Sequence, residues 1–270
     1  MNVFRLLKNI PLRLNEERSD QLATHRPLAW LRIYLSRDEF FLCPDDALVV
    51  AIWRFHSFSR GGRAELKSFL RLARGCTRLL DLGASAGIFS ALFYNTRSGA
   101  AVLSVEPDEK SYLLLNRTKL NNEGDPGRWK TVRAVMSDQP GKRHFENGEF
   151  GGLISETGVG EEVTAHSLAS LATDCKFVPD LIKIDVESYE YEVLSGGLSW
   201  LEEHRPGLFL ELHWDLLEQR NLSPASLLTA LAAIGYRCRG RADFPTTAAR
   251  HLDSSGVVRL PLVAPFPREK

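Results

Sequence analysis

From residue 78 onward, short apolar runs alternate with helical stretches, and that rhythm confines the chain to parallel β-α units. Strands are expected over residues 78–82, 101–105, 131–136, 181–186 and 208–213. Helical spacing is read over 88–94, 110–120 and 224–234, with late strands at 235–238 and 257–263. The expected class is therefore α/β, a mostly parallel sheet flanked by helices. A chain of 270 residues has room for one such domain and an extension. Residues 1–75 read as a helical N-terminal extension, with a helix over 63–74 and a turn at Cys43-Pro44-Asp45-Asp46. Residues 76–270 carry the sheet. Gly148, Gly151, Gly152, Gly158 and Gly160 interrupt the rhythm and read as a loop, either plain surface or a mobile cover over a site.

Composition narrows the function classes. Lys plus Arg and Asp plus Glu number 34 each, so no overall basic footprint points to nucleic acid. The four cysteines are Cys43, Cys76, Cys175 and Cys238, and no two form a CxxC pair, which argues against structural zinc. They read as reduced thiols of a cytoplasmic protein. The N-terminus has no signal-peptide core, and the longest apolar stretch, 47–53, is too short to span a bilayer.

The sharpest motif is Asp81-Leu82-Gly83-Ala84-Ser85-Ala86-Gly87, between an expected strand and an expected helix. Gly83 permits a tight turn and Gly87 a close helix start, where backbone N–H groups favour a polar or anionic ligand group. No Gly-Lys-Ser/Thr follows, so it is not a P-loop. A dinucleotide fingerprint needs a middle glycine for the pyrophosphate, and Ser85 stands there. S-adenosylmethionine has no pyrophosphate and does not need that glycine. The second strand ends in Val105-Glu106-Pro107, and Glu106 lies about 20 positions past the turn, where an acid grips a ribose diol.

Two later strands end in charge. Lys183, Asp185 and Glu187 alternate along 181–186 and beyond, which would put all three on one face. A central parallel strand should be apolar on both faces, so this departure marks a site at the strand's carboxyl end. The alternative reading is a structural ion pair between Lys183 and a carboxylate. Glu211 and His213 repeat the pattern at the end of 208–213. Carboxylate oxygens here suit a hard cation, but no metal is expected.

These segments together resemble the FkbM-type methyltransferase family. The similar pieces are LLDLGASAGIFS, LSVEPD, VMSD, GGLIS, LIKIDVESYEYEVLSG and FLELH, in the family's order from about Leu79 to His213. The resemblance implies a Rossmann-like seven-stranded methyltransferase fold that uses S-adenosyl-L-methionine. It implies a cofactor site at Asp81, Gly83, Ala84, Ser85, Gly87, Glu106 and Pro107. Ser137 and Asp138 match the Ser-Asp near adenine, and Asp185 and Glu187 the acids facing the methyl group. The chain departs from the family's usual residues at Ser85-Ala86, at Leu168-Ala169 and at Ser188. Many members act on hydroxyls of sugars and secondary products, so a small-molecule or glycan acceptor is expected. Asp185, Glu187 and His213 are the candidate catalytic groups, with Asp185 and His213 the first choices for a base. An NAD-dependent oxidoreductase and a catalytically inactive nucleotide-binding module are the alternatives.

Overall fold

The computed structural model describes residues 31–32, 41–42, 60–96, 98–122, 127–148, 151–155, 157–238 and 243–264. Within the expected helical extension these comprise an antiparallel pair, β1 (Leu31–Arg32) with β2 (Phe41–Leu42), and helix α1 (Arg60–Leu72). The expected turn at 43–46 and the apolar run 47–53 lie outside the described residues.

The chain then follows the expected rhythm through β3 (Arg78–Leu82), α2 (Ile88–Thr96), β4 (Ala101–Val105), α3 (Glu109–Asn122) and β5 (Trp129–Val132). Next come β6 (Val135–Met136), β7 (Gly141–Gly148), β8 (Gly151–Ser155), β9 (Glu161–His166) and helix α4 (Leu168–Cys175). β10 (Leu181–Ile184), α5 (Glu190–His204) and β11 (Gly207–His213) complete the parallel core. Helices α6 (Trp214–Gln219) and α7 (Pro224–Ala233), strand β12 (Arg237–Cys238), helix α8 (Phe244–Thr247) and strand β13 (Val257–Val263) follow. Helices α4 and α5 were not read from the sequence.

Seven strands form the main sheet in the order β12-β13-β11-β10-β3-β4-β5. β13 runs antiparallel to both of its neighbours, and the other pairings are parallel. This is the Rossmann-like methyltransferase arrangement that the motifs implied. From β3 the chain steps outward to β4 and β5, then returns to lay β10 on the other side of β3. Strand order therefore reverses between β3 and β10, and ligands of open α/β sheets bind at the carboxyl ends of strands at such a point.

Both sheet faces are buried. Leu80, Leu82, Ile182, Ile184, Leu208 and Leu210 belong to the core on one side. On the other, Phe69 of α1 packs edge-on to Phe89 of α2 at 5.0 Å and to Phe209 of β11 at 5.5 Å. Leu66 and Phe69 are fully buried, so α1 is a layer of the core. No helix among the described residues is long and apolar enough to cross a membrane.

Two parts of the expected strand and loop layout are corrected by the structure. The strand expected over 131–136 is two strands in two sheets. β4 ends at Val105, which is paired with Val132, so β5 has no ladder partner beyond that residue. The chain turns at Arg133, whose guanidinium reaches the Pro107 carbonyl and Glu161, and β6 joins a second, four-stranded sheet ordered β6-β9-β7-β8. The glycine-rich stretch is largely part of that sheet rather than a loop. A Cβ on Gly152 would stand 2.1 Å from the Phe145 ring, and one on Gly160 2.4 Å from the Phe145 carbonyl. These glycines let backbone close over the buried Phe145, which packs with Val135, Val163 and Ala165 in a small core of their own.

Candidate functional site

The Asp81–Gly87 turn lies at the reversal point. Gly83 and Ala84 both donate backbone N–H bonds to the Val105 carbonyl of β4. A Cβ on Gly83 would fall 1.7 Å from the Asp185 carbonyl oxygen, and Gly83 has φ +71°. Only glycine permits that approach, which seats the turn directly against the end of β10. Gly87 serves packing too, because a Cβ there would meet Leu115 of α3 at 2.8 Å. Ser85, in the place of a dinucleotide glycine, has φ +49° and donates its backbone N–H to Glu106 at 2.8 Å.

Glu106 thus closes the turn. Its other oxygen accepts from the Asp108 N–H at 3.0 Å, and the residue is 7% exposed. Burial pushes its pKa up to about 7 against those two hydrogen bonds. Pro107 follows at the strand end and is tied to Arg133 through its carbonyl. Ser137 and Asp138 stand at the end of β6 and are bonded to each other at 2.9 Å. Their remaining contacts run to the His166 carbonyl and to Arg143. Gly196 of α5 makes room for Asp138, whose Cα would lie 2.6 Å from a Cβ there.

The charged strand ends come together, by a different route from the one the sequence implied. β10 stops at Ile184, where the Asp185 N–H bonds to the Leu82 carbonyl. Glu187 and Ser188 then take φ +49° and +79°, so Glu187 does not continue the strand's face. This left-handed turn reverses the chain into α5 and swings Glu187 back over β11. Glu187 Oε2 comes within 3.3 Å of His213 Nε2, and Asp185 Oδ1 lies 3.9 Å from the same nitrogen. Arg220 braces the turn: its guanidinium donates to the Ser188 carbonyl, pairs with Glu192 and lies 4.3 Å over the Tyr189 ring.

Beneath this cluster lies an ion-pair layer. Register places Asp81, Lys183 and Phe209 side by side across β3, β10 and β11. Lys183 is buried, with Nζ 2.9 Å from Asp185 Oδ2, 2.9 Å from the Gly83 carbonyl and 3.9 Å from Asp81. Asp81 also accepts from Ser90 at 2.5 Å. On the neighbouring strands Arg259 pairs with Glu211, Glu65 and Asp253. One donor atom each of Asp185, Glu211 and His213 falls within 4.8 Å of the others. Lys183 and Arg259 already supply positive charge to these two carboxylates, so the group reads as an ion-pair network rather than a metal-ligand set.

The FkbM methyltransferase domain model matches residues 81–238, more than half the chain, and spans the turn, Glu106 and the cluster. The chain belongs to the FkbM methyltransferase family. No curated protein matches it in sequence. Solved structures similar to it include N-methyltransferase NodS from Bradyrhizobium japonicum WM9, at 11% identity and TM-score 0.43, over 75% of this chain and 96% of that one. A ribosomal protein L11 methylase from Lactobacillus delbrueckii subsp. bulgaricus aligns at 13% identity and TM-score 0.42, over 83% and 84%. Precorrin-6y C5,15-methyltransferase from Geobacter metallireducens GS-15 aligns at 11% identity and TM-score 0.41, over 65% and 71%.

In this FkbM chain the acids of the cluster differ in charge behaviour. Burial alone would raise Asp185, but Lys183 and His213 outweigh it and hold the carboxyl below its ordinary value. Burial and then the neighbouring Asp185 charge push Glu187 up to about 7. Burial would lower His213, yet its bond to Glu190 and the charges of Glu190, Asp185 and Glu187 carry it up to about 10. Glu190 had no assigned role in the sequence reading, and neither had Arg220 or Arg259. Glu190 was legible only as the acid that closely follows the KIDVE stretch. Arg259 was legible as a charge inside the apolar run VVRLPLV.

Proposed function

We propose that this FkbM methyltransferase uses S-adenosylmethionine to methylate a hydroxyl on a sugar or a secondary-metabolite-like small molecule. The observation that carries the reading is the contact between Gly83 and the Asp185 carbonyl. It sets a nucleotide-type turn directly beside a proton-handling cluster at the reversal point of the sheet. When bound, S-adenosylmethionine supplies an electrophilic methyl group on its sulfonium, so the protein's tasks are alignment and removal of one proton.

Gly83, Ala84, Ser85 and Gly87 shape the cofactor turn, with Asp81 anchoring its strand through Ser90. Glu106 retains acceptor capacity for the ribose hydroxyls beyond its two backbone bonds. Pro107 continues that wall, and Ser137 with Asp138 would border the adenine. Asp185, Glu187 and His213 face the reacting end. Methylation of a hydroxyl requires that one proton be removed, and the cluster's carboxylates can accept it.

Isothermal titration with S-adenosylmethionine, S-adenosylhomocysteine and NAD tests the cofactor. Binding of the first two and not of NAD supports the reading, and preference for NAD overturns it. Turnover to S-adenosylhomocysteine with a panel of polyols, phenols and amines tests the acceptor. Methylation of amines alone overturns the oxygen assignment, and cofactor binding without any turnover favours the inactive module.

A further inference from the structure

We propose that Glu187 takes the proton of the acceptor hydroxyl, and that Glu190 is a positioning residue that keeps His213 cationic and so unable to act as the base. This rests on the hydroxyl-methylation reading above and assigns the roles inside the same cluster.

The argument is first geometric. Glu190 is fully buried; its Oε1 accepts from the Val186 N–H at 3.1 Å and the Ser188 N–H at 3.2 Å, and lies 2.9 Å from His213 Nδ1. An oxygen that already accepts from two N–H groups is aimed as an acceptor, so its third neighbour, His213 Nδ1, is assigned the hydrogen of that contact. On the other side of the ring, Nε2 faces Glu187 at 3.3 Å and Asp185 at 3.9 Å. A neutral imidazole protonated at Nδ1 would aim its lone pair at those two acids. A second proton on Nε2 turns that repulsion into attraction, so the ring is an imidazolium. The raised pKa of His213, about 10, agrees.

A cationic His213 has no lone pair for a proton. Asp185 is a poor base, because Lys183 binds one of its oxygens and holds its carboxyl low. Glu187 differs in both respects. Its side chain is 42% exposed against 9% for His213, so it is the member of the cluster that an acceptor reaches. The charged groups that act on it are Asp185, His213, Glu190 and Lys183, and together with burial they set it near pH 7, where a general base works best. In the reaction the acceptor oxygen forms a bond to the methyl carbon. The carbon–sulfur bond breaks, and its electron pair stays on sulfur, giving S-adenosylhomocysteine. The hydroxyl proton passes to a Glu187 carboxylate oxygen.

Two measurements on the full chain decide this. The first needs no substrate: side-chain nitrogen NMR of labelled histidine across pH 5–10, with His213→Asn identifying the resonance among the seven histidines. His213 should stay doubly protonated through pH 9 in the wild type. In Glu190→Gln its proton affinity should fall about tenfold or more. A wild-type His213 that titrates near the ordinary histidine value overturns the charge assignment. The second is the pH dependence of kcat with an accepted alcohol. The wild-type rate should rise through one ionisation near pH 7. Glu187→Gln should remove that ionisation and lower kcat about 10²-fold, with cofactor affinity retained. A Glu187→Gln enzyme with the wild-type rate and profile overturns the base assignment. A cationic His213 in a protein that methylates no alcohol supports the charge assignment and overturns the function on which the base assignment stands.

Discussion

Lys183 is the most exacting test of what holds the site together. Its ammonium is buried beside Asp81 and Asp185, and its side chain is 3% exposed. Those two acids and Glu211 outweigh burial and raise its pKa above the ordinary lysine value. Lys183→Met removes the charge while roughly keeping the volume. Asp81, which is 0% exposed and has one oxygen with no hydrogen-bond partner, then loses its cation. Removing one partner of a buried pair costs about 3–5 kcal/mol, because the other is left uncompensated. At roughly 2–4 °C per kcal/mol for a domain of this size, Tm should fall by roughly 6–20 °C. Guanidinium unfolding should give that loss as a lower midpoint at unchanged slope. The deficit should also depend on pH. Asp185 has a lowered pKa in the folded protein, so its pairing stabilises above its unfolded value and that stabilisation fades as pH falls. The deficit should therefore be the same at pH 8 and pH 5 and begin to shrink only below about pH 4, under the ordinary aspartate value. Adding Asp81→Asn to Lys183→Met should restore part of the loss, since it removes the stranded charge. A single-variant loss below about 1 kcal/mol, or a double variant worse than the sum, would refute the ion-pair account.

Three further outcomes are expected. Glu106→Gln should weaken S-adenosylmethionine binding about tenfold or more by calorimetry. Wild-type affinity should itself fall as pH drops through about 7, where Glu106 gains a proton and loses acceptor capacity. Unchanged affinity in the variant would remove Glu106 from the ribose site. Gly83→Ala should abolish cofactor binding and cost roughly 3 kcal/mol or more by denaturant unfolding, because its Cβ has no space beside the Asp185 carbonyl. Gly99→Ala, at φ +72° with nothing within 4 Å, should cost only about 1–2 kcal/mol. Equal losses at the two glycines would mean that the contact at Gly83 is immaterial. Turnover should persist in excess chelator, and loss of activity rescued by magnesium would show that the carboxylates serve a metal after all.

The sequence by itself determined the architecture and the address of the site. Strand-and-helix periodicity is a local property, and it placed β3, β4, β11 and β13 to the residue or within one. The Asp81–Gly87 turn, Glu106 and the charged ends of β10 and β11 were legible because each breaks an expectation that holds along a single strand. Where neighbours decide, the reading failed. β5 ends at Val132 because β4 runs out at Val105, and residue 133 itself carries no sign of that. The glycines around Phe145 look like a loop until a second strand packs on that ring. Alternation put Glu187 on the face of Lys183, but a left-handed turn carries it over β11 to His213 instead. Above all, the charge of His213 is fixed by Glu190, which is 23 residues away and arrives on a different helix. Protonation depends on which groups converge in space and on how little water remains among them. Only the tertiary structure sets those two quantities.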